Sequence, residues 1–303
     1  MSASKISKRP GNFKLLGRYS YFVPGVAELF ILLAFFLLGA LLGNIVTAVF
    51  SFVAGSDAAM EYGTVIAYPL MFIPAMIYAS AKSSRNSFTR QGLKMDSCHF
   101  GRIGGALAAV LVVFLVFSMA FCTDAVSALM PPMPEWLSDM LEGMTQGNVL
   151  LNILCVGVFA AFFEEWLCRG MVLRGLLGNN VRPGVAIPVS ALFFALIHLN
   201  PWQAVPAFIL GCVFGYVYYK TGSLKLTMLM HFANNTLAVI LSNVDSLSEM
   251  ENWMDVLSAK QYWPIFAGCL LLAILIIRKF SEIPVEKTSG NLDVVKPVFE
   301  TLE

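Results

Sequence analysis

Eight apolar windows, near residues 23–53, 62–81, 104–130, 148–173, 185–199, 202–219, 226–243 and 262–277, occupy most of this chain and leave it little choice of environment. About 20 apolar residues in helical form cross a hydrocarbon layer about 30 Å thick. The expected fold is therefore all-α: a polytopic membrane helix bundle of about eight transmembrane helices, the fifth and eighth short. Composition agrees, because 58% hydrophobic and 13% charged residues, with a mean hydropathy of +0.74, are too apolar for a soluble domain of 303 residues. A net charge of +1 gives no basic patch for nucleic acid, so none is expected as a partner. The bilayer is.

Charge distribution orients the bundle. Lys5, Lys8, Arg9, Lys14 and Arg18 precede the first window, and Lys82, Arg85, Arg90, Lys94 and Arg102 lie between the second and third. Arg174 and Arg182 follow the fourth, Lys220 and Lys225 the sixth, and Arg278 and Lys279 the eighth. The alternate loops carry acids instead: Asp57 and Glu61, then Glu135, Asp139 and Glu142, then Asp245, Glu249, Glu251 and Asp255. Only the intramembrane Arg169 and the outer Lys260 escape this segregation. The positive-inside rule then makes the protein a multi-pass cell-membrane protein with both termini cytoplasmic. The first residues resemble the basic start of a signal peptide, but the apolar run of 23–53 is too long for one and no small-residue cleavage site closes it. It reads as a membrane helix that stays.

The expected organisation is a basic cytoplasmic segment at 1–20, membrane helices and loops over 21–147, a membrane core at 148–243, an outer segment with the last helix at 244–279, and a flexible cytoplasmic tail at 280–303. Pro134–Met144 and Ser246–Ser258 alternate apolar and acidic residues at helical spacing, each with a tryptophan, and are expected to lie flat on the outer surface. Ser87–Met95 is expected to do the same inside. Six scattered cysteines, without CxxC spacing, suggest neither disulfides nor a thiolate metal site. Gly39-Gly43 and Gly211-Gly215 have the GxxxG spacing that lets membrane helices approach closely, expected here for packing within the bundle. Oligomeric state is not readable.

Chemistry concentrates in AFFEEWLCRG, Ala161–Gly170, which places Glu164, Glu165 and Arg169 in an apolar helix, where each charge costs about 2.5–3.5 kcal/mol. Adjacent helical residues point about 100° apart, so the two acids cannot aim at one atom. Glu165 and Arg169 stand i,i+4 with the acid first, the order that favours an ion pair. Glu164 is left without a local partner, as suits a general base. His198 and His231 also lie at membrane depth: Glu164 is roughly 15 Å along its helix from Arg174, His231 roughly 8 Å from Leu226, and His198 roughly 20 Å from Val185. These groups can meet. His231 and Asn235, i,i+4, share a helix face and suit a pair of donors to an oxyanion, with Asn234 a rival by position.

EEWLCR (Glu164–Arg169), FALIH (Phe194–His198) and HFANN (His231–Asn235) together resemble the EExxxR, FxxxH and HxxxN signatures of the CPBP intramembrane proteases, the CAAX-processing and bacteriocin-processing family also called Abi. The resemblance covers about residues 148–243. It implies an endopeptidase whose substrate is a membrane-associated peptide or membrane protein. Glu164 would activate water, His198 would help hold it, His231 and Asn235 would stabilise the oxyanion, and Glu165 and Arg169 would support the site. It also favours Asn235 over Asn234.

Glu164, His198 and His231 have the ligand types of many catalytic zinc sites, so zinc or another divalent metal is an alternative. The HExxH spacing is absent, however, and a metal-bound Glu164 would lose its use as base. Asp124 and Glu28 are too shallow or too remote to replace it. A cofactor-free mechanism is preferred. The competing functions are non-proteolytic: a peptide-toxin immunity or binding protein, or a proton-coupled transporter, the latter disfavoured by the lack of repeated halves.

Overall fold

The computed structural model describes residues 15–55, 59–145, 148–247, 250 and 252–285. The described residues form helices without strands: α1 Val26–Ala54, α2 Thr64–Asn86, α3 Gly105–Ser127, the short α4 Glu135–Thr145, α5 Val149–Gly178, α6 Pro183–Leu196, α7 Pro201–Thr221, α8 Leu224–Ser242 and α9 Ala259–Ser281. Seven of them, all but α4 and α6, are long and apolar enough to cross a membrane. The protein is an all-α multi-pass membrane protein. The fifth expected span is short, 14 residues in α6, but the eighth is not, because α9 runs 23 residues.

Helix ends follow local chemistry. Pro183 and Pro201 open α6 and α7 at positions where a missing N–H costs nothing. The Asn200 side chain caps α7 by accepting from the Gln203 amide at 2.9 Å, and Ser223 caps α8 by accepting from Leu226 at 3.3 Å. Gly222, at φ +65°, closes α7 in the left-handed conformation that glycine adopts without strain.

The helices gather round α5. Every residue from Glu164 to Leu177 is buried, so this stretch has no lipid-facing side. One apolar cluster joins it to α1, α2 and the chain around Tyr19 and Phe22; a second joins α3, α7, α8 and α9. Both GxxxG pairs serve packing inside the chain. Gly39 and Gly43 face the α2 backbone at Met71 and Ala67, and Gly211 and Gly215 face α6 at Ala191 and Ile187. A Cβ on Gly39 would stand 2.0 Å from the Met71 carbonyl oxygen, which is backbone and cannot swing aside. Gly39→Ala is expected to cost about 1–3 kcal/mol. Thermal unfolding in detergent measures this, with Gly268→Ala, whose added Cβ meets nothing within 4 Å, as the unchanged reference.

The basic end of the bundle is tied together by backbone. Residues 87–104 form no helix, contrary to the surface helix expected at Ser87–Met95. Met95 is buried, and the segment crosses the bundle end as a strap: Leu93 N–H donates to Ser20 O at 2.9 Å, Ser97 N–H to Gly222 O at 2.8 Å and His99 N–H to Thr221 O at 2.9 Å. Asp96 pairs with Lys225 at 2.8 Å. Arg174, fully buried in α5, donates to the carbonyls of Gly170 (2.7 Å), Leu93 (2.9 Å) and Phe22 (2.6 Å), with Ser20 and Tyr19 each at 3.4 Å. Tyr19 and Ser20, the last residues of the expected basic cytoplasmic segment 1–20, are thus buried; residues 1–14 lie outside the described residues.

At the other end α4 is helical as expected, with Leu137 buried and Trp136 exposed. The described part of Ser246–Ser258 is not a surface helix. Among its described residues only Trp253–Asp255 makes a helical turn, because Asp124 accepts the Trp253 amide at 3.2 Å and the Tyr262 hydroxyl at 3.2 Å, drawing the segment onto α3 and α9. Asn252 caps that turn. The expected tail is described only as far as 285.

Candidate active site

Two stretches of α5, Ile153–Phe159 and Trp166–Leu173, carry wider i→i+5 hydrogen bonding, and between them lies Ala160–Glu165. Such widened turns sit frequently at functional sites. The two acids close the regular turn between them.

Glu165 and Arg169 pair as their spacing demands. Arg169 Nη1 donates to Glu165 Oε1 at 2.6 Å with both side chains fully buried, and Nη2 donates to Gly211 O at 3.0 Å. The guanidinium also stacks near Phe194 (4.5 Å to the ring centroid) and Phe214 (5.3 Å). His231 Nδ1 lies 3.1 Å from the same Glu165 oxygen. That carboxylate already accepts from Arg169, so the imidazole is the donor and its Nε2 is turned the other way. Nε2 faces Glu164 Oε2 at 3.9 Å.

Glu164 is not without a partner. The Tyr68 hydroxyl, from α2, donates to its Oε1 in a short hydrogen bond. Oε2 is buried and has no hydrogen-bond partner among the described residues. Tyr68 was not legible as a site residue: its window shows only apolar character, and Tyr62 and Tyr78 lie in the same stretch with equal claim.

His198 occupies the turn after α6, half-buried, and its Nδ1 lies 2.8 Å from Phe194 O. A carbonyl only accepts, so Nδ1 is the donor and Nε2 is left clear of this contact. Both imidazoles pack edge-on against Phe194, at 5.0 Å for His198 and 5.5 Å for His231. The neighbouring Leu199 is held at φ +58°, unusual for a branched residue and a mark of local strain. Asn235 lies one turn beyond His231 on α8, where its amide donates to Val156 O at 2.8 Å and its carbonyl accepts from Asn234 at 3.1 Å. Val156 belongs to the first widened stretch. Glu164, Glu165, Arg169 and His231 thus meet directly, His198 joins through Phe194, and Asn235 flanks them without touching Glu164.

Arg169 balances one of the two buried carboxylates. Among the described residues no three His, Cys, Asp or Glu side chains converge as metal ligands. Glu164 Oε1 is committed to Tyr68 and His231 Nδ1 to Glu165.

Residues 146–237 match the family model described as type II CAAX prenyl endopeptidase Rce1-like; they hold all six residues picked out from the sequence and leave Tyr68 outside. Comparison with curated proteins and with solved structures gives no match. The match makes the membrane core of this chain, over residues 146–237, similar to the CAAX-processing intramembrane endopeptidases.

Proposed function

We propose that the protein is an intramembrane endopeptidase of glutamate type, hydrolysing peptide bonds in membrane-associated peptides or membrane proteins. The observation that carries this reading is Glu164, fixed at one carboxylate oxygen by Tyr68 and presenting the other, unpaired and buried, toward His231 Nε2 at 3.9 Å. A water between Glu164 and His198 Nε2 gives its proton to Glu164 Oε2 as its oxygen attacks the scissile carbonyl carbon. Negative charge collects on the carbonyl oxygen. Protonated His231, anchored at Nδ1 by Glu165, donates to it from Nε2, and the second N–H of the Asn235 amide, beyond the one on Val156, donates alongside. Glu164 then returns its proton to the leaving nitrogen as the C–N bond breaks. Arg169 keeps Glu165 charged and in place throughout. No metal takes part in this scheme.

The substrate class, CAAX-type C-terminal peptides or leader peptides, is open to direct measurement. Mass spectrometry of peptides released in cells carrying wild type but not Glu164→Ala identifies it. A set of peptides that depends on Glu164 supports the reading; identical sets sink it in favour of a binding or transport role.

A further inference from the structure

The family match begins at residue 146, yet the contact that most constrains Glu164 comes from α2. We propose that Tyr68 is a positioning residue for the hydrolysis: by holding Glu164 Oε1 it commits Oε2, and only Oε2, to water. The inference rests on the reading of Glu164 as base. A carboxylate is two-fold symmetric about its last bond, and a base must present one oxygen in one direction. Neither Arg169 of α5 nor His231 of α8 supplies that asymmetry: His231 Nδ1 is spent on Glu165, and Arg169 donates to Glu165 and to Gly211 O. Tyr68 does.

Its placement is built rather than incidental. The Tyr68 ring lies 5.9 Å from Phe72, and Phe72 stacks on Phe163 at 5.3 Å and 15°, so the residue preceding Glu164 and the residue one turn after Tyr68 lock α2 to α5 at the level of the bond. Pro69 follows Tyr68 and carries no N–H for the Val65 carbonyl, which relaxes α2 where it meets α5. The consequence is that the catalytic apparatus extends outside the matched core: residues 146–237 alone hold a base that nothing orients.

Tyr68→Phe removes the hydroxyl and keeps the stack. With a peptide identified as above, kcat should fall roughly 10–100-fold, the scale of one hydrogen bond to a charged group, while KM stays within about two-fold. The melting temperature in detergent should stay close to wild type. Infrared difference spectroscopy gives a readout that packing alone would not move: the carboxyl band that disappears in Glu164→Gln should shift in Tyr68→Phe. Wild-type kcat together with an unshifted band overturns the proposal. If Glu164→Gln itself remains active, the reading of Glu164 as base fails, and the infrared band alone then decides whether Tyr68 orients Glu164.

Discussion

Glu164→Gln should lower kcat by about 10²–10⁴-fold, the span that a general base contributes. The substitution is close to isosteric, so its effect isolates basicity. The amide oxygen still accepts from Tyr68, while an NH2 replaces Oε2 in front of His231 Nε2 and has no lone pair to take a proton from water. The fold should survive, because a neutral amide is easier to bury than a carboxylate in a site whose one permanent cation is already matched to Glu165. Glu164→Asp adds a second reading of the same geometry. It keeps the basicity but draws the carboxylate back by one methylene, out of reach of Tyr68, and activity should fall between wild type and the amide. Single-turnover cleavage at fixed protein concentration, with melting temperature recorded for each variant, checks both. Equal rates for wild type and Glu164→Gln would remove the residue from the chemistry.

Arg169→Met should be the most destabilising single change in the site. Both side chains of the Glu165–Arg169 pair are fully buried, and taking away one partner strands the other; such losses run to about 3–5 kcal/mol. The Gly211 carbonyl would lose its donor as well, and Phe194 and Phe214 the cation against their faces. Adding Glu165→Gln to Arg169→Met removes the stranded charge and should recover most of the stability. It should not recover activity, because His231 then loses the carboxylate that fixes Nδ1–H and aims Nε2. Thermal unfolding and cleavage assays on the two single variants and the double separate the pair's structural part from its part in orienting His231. A single variant as stable as wild type would mean that the ion pair does not hold this site together.

The pairing of Glu165 rather than Glu164 with Arg169 was legible because it follows from helix geometry alone: a 100° step separates neighbours, and i,i+4 spacing joins Glu165 to Arg169. The helices were legible too, since hydrocarbon thickness sets their length, and α6 was visibly short. What escaped has physical causes. Tyr68 reaches Glu164 across 96 positions of chain, a contact that no local period encodes. Asn235 shares a face with His231 as its spacing requires, but the widened turn of α5 at Val156 offers a carbonyl that captures its amide. Ser246–Ser258 has helical periodicity, yet Asp124 outbids it with a direct hydrogen bond to the Trp253 amide. Ser87–Met95 is bound by the carbonyl of Ser20 and by Arg174, partners that belong to another part of the chain.

Arg174 grips the chain through main-chain oxygens at Tyr19, Ser20, Phe22, Leu93 and Gly170. Carbonyls do not titrate, and every residue type has one. The acceptors are therefore the same whatever side chains stand at those five positions, and the hold responds to where the backbone runs. For α5 this is a mooring that no other side chain carries: it gives way when the chain itself moves, or when Arg174 is lost.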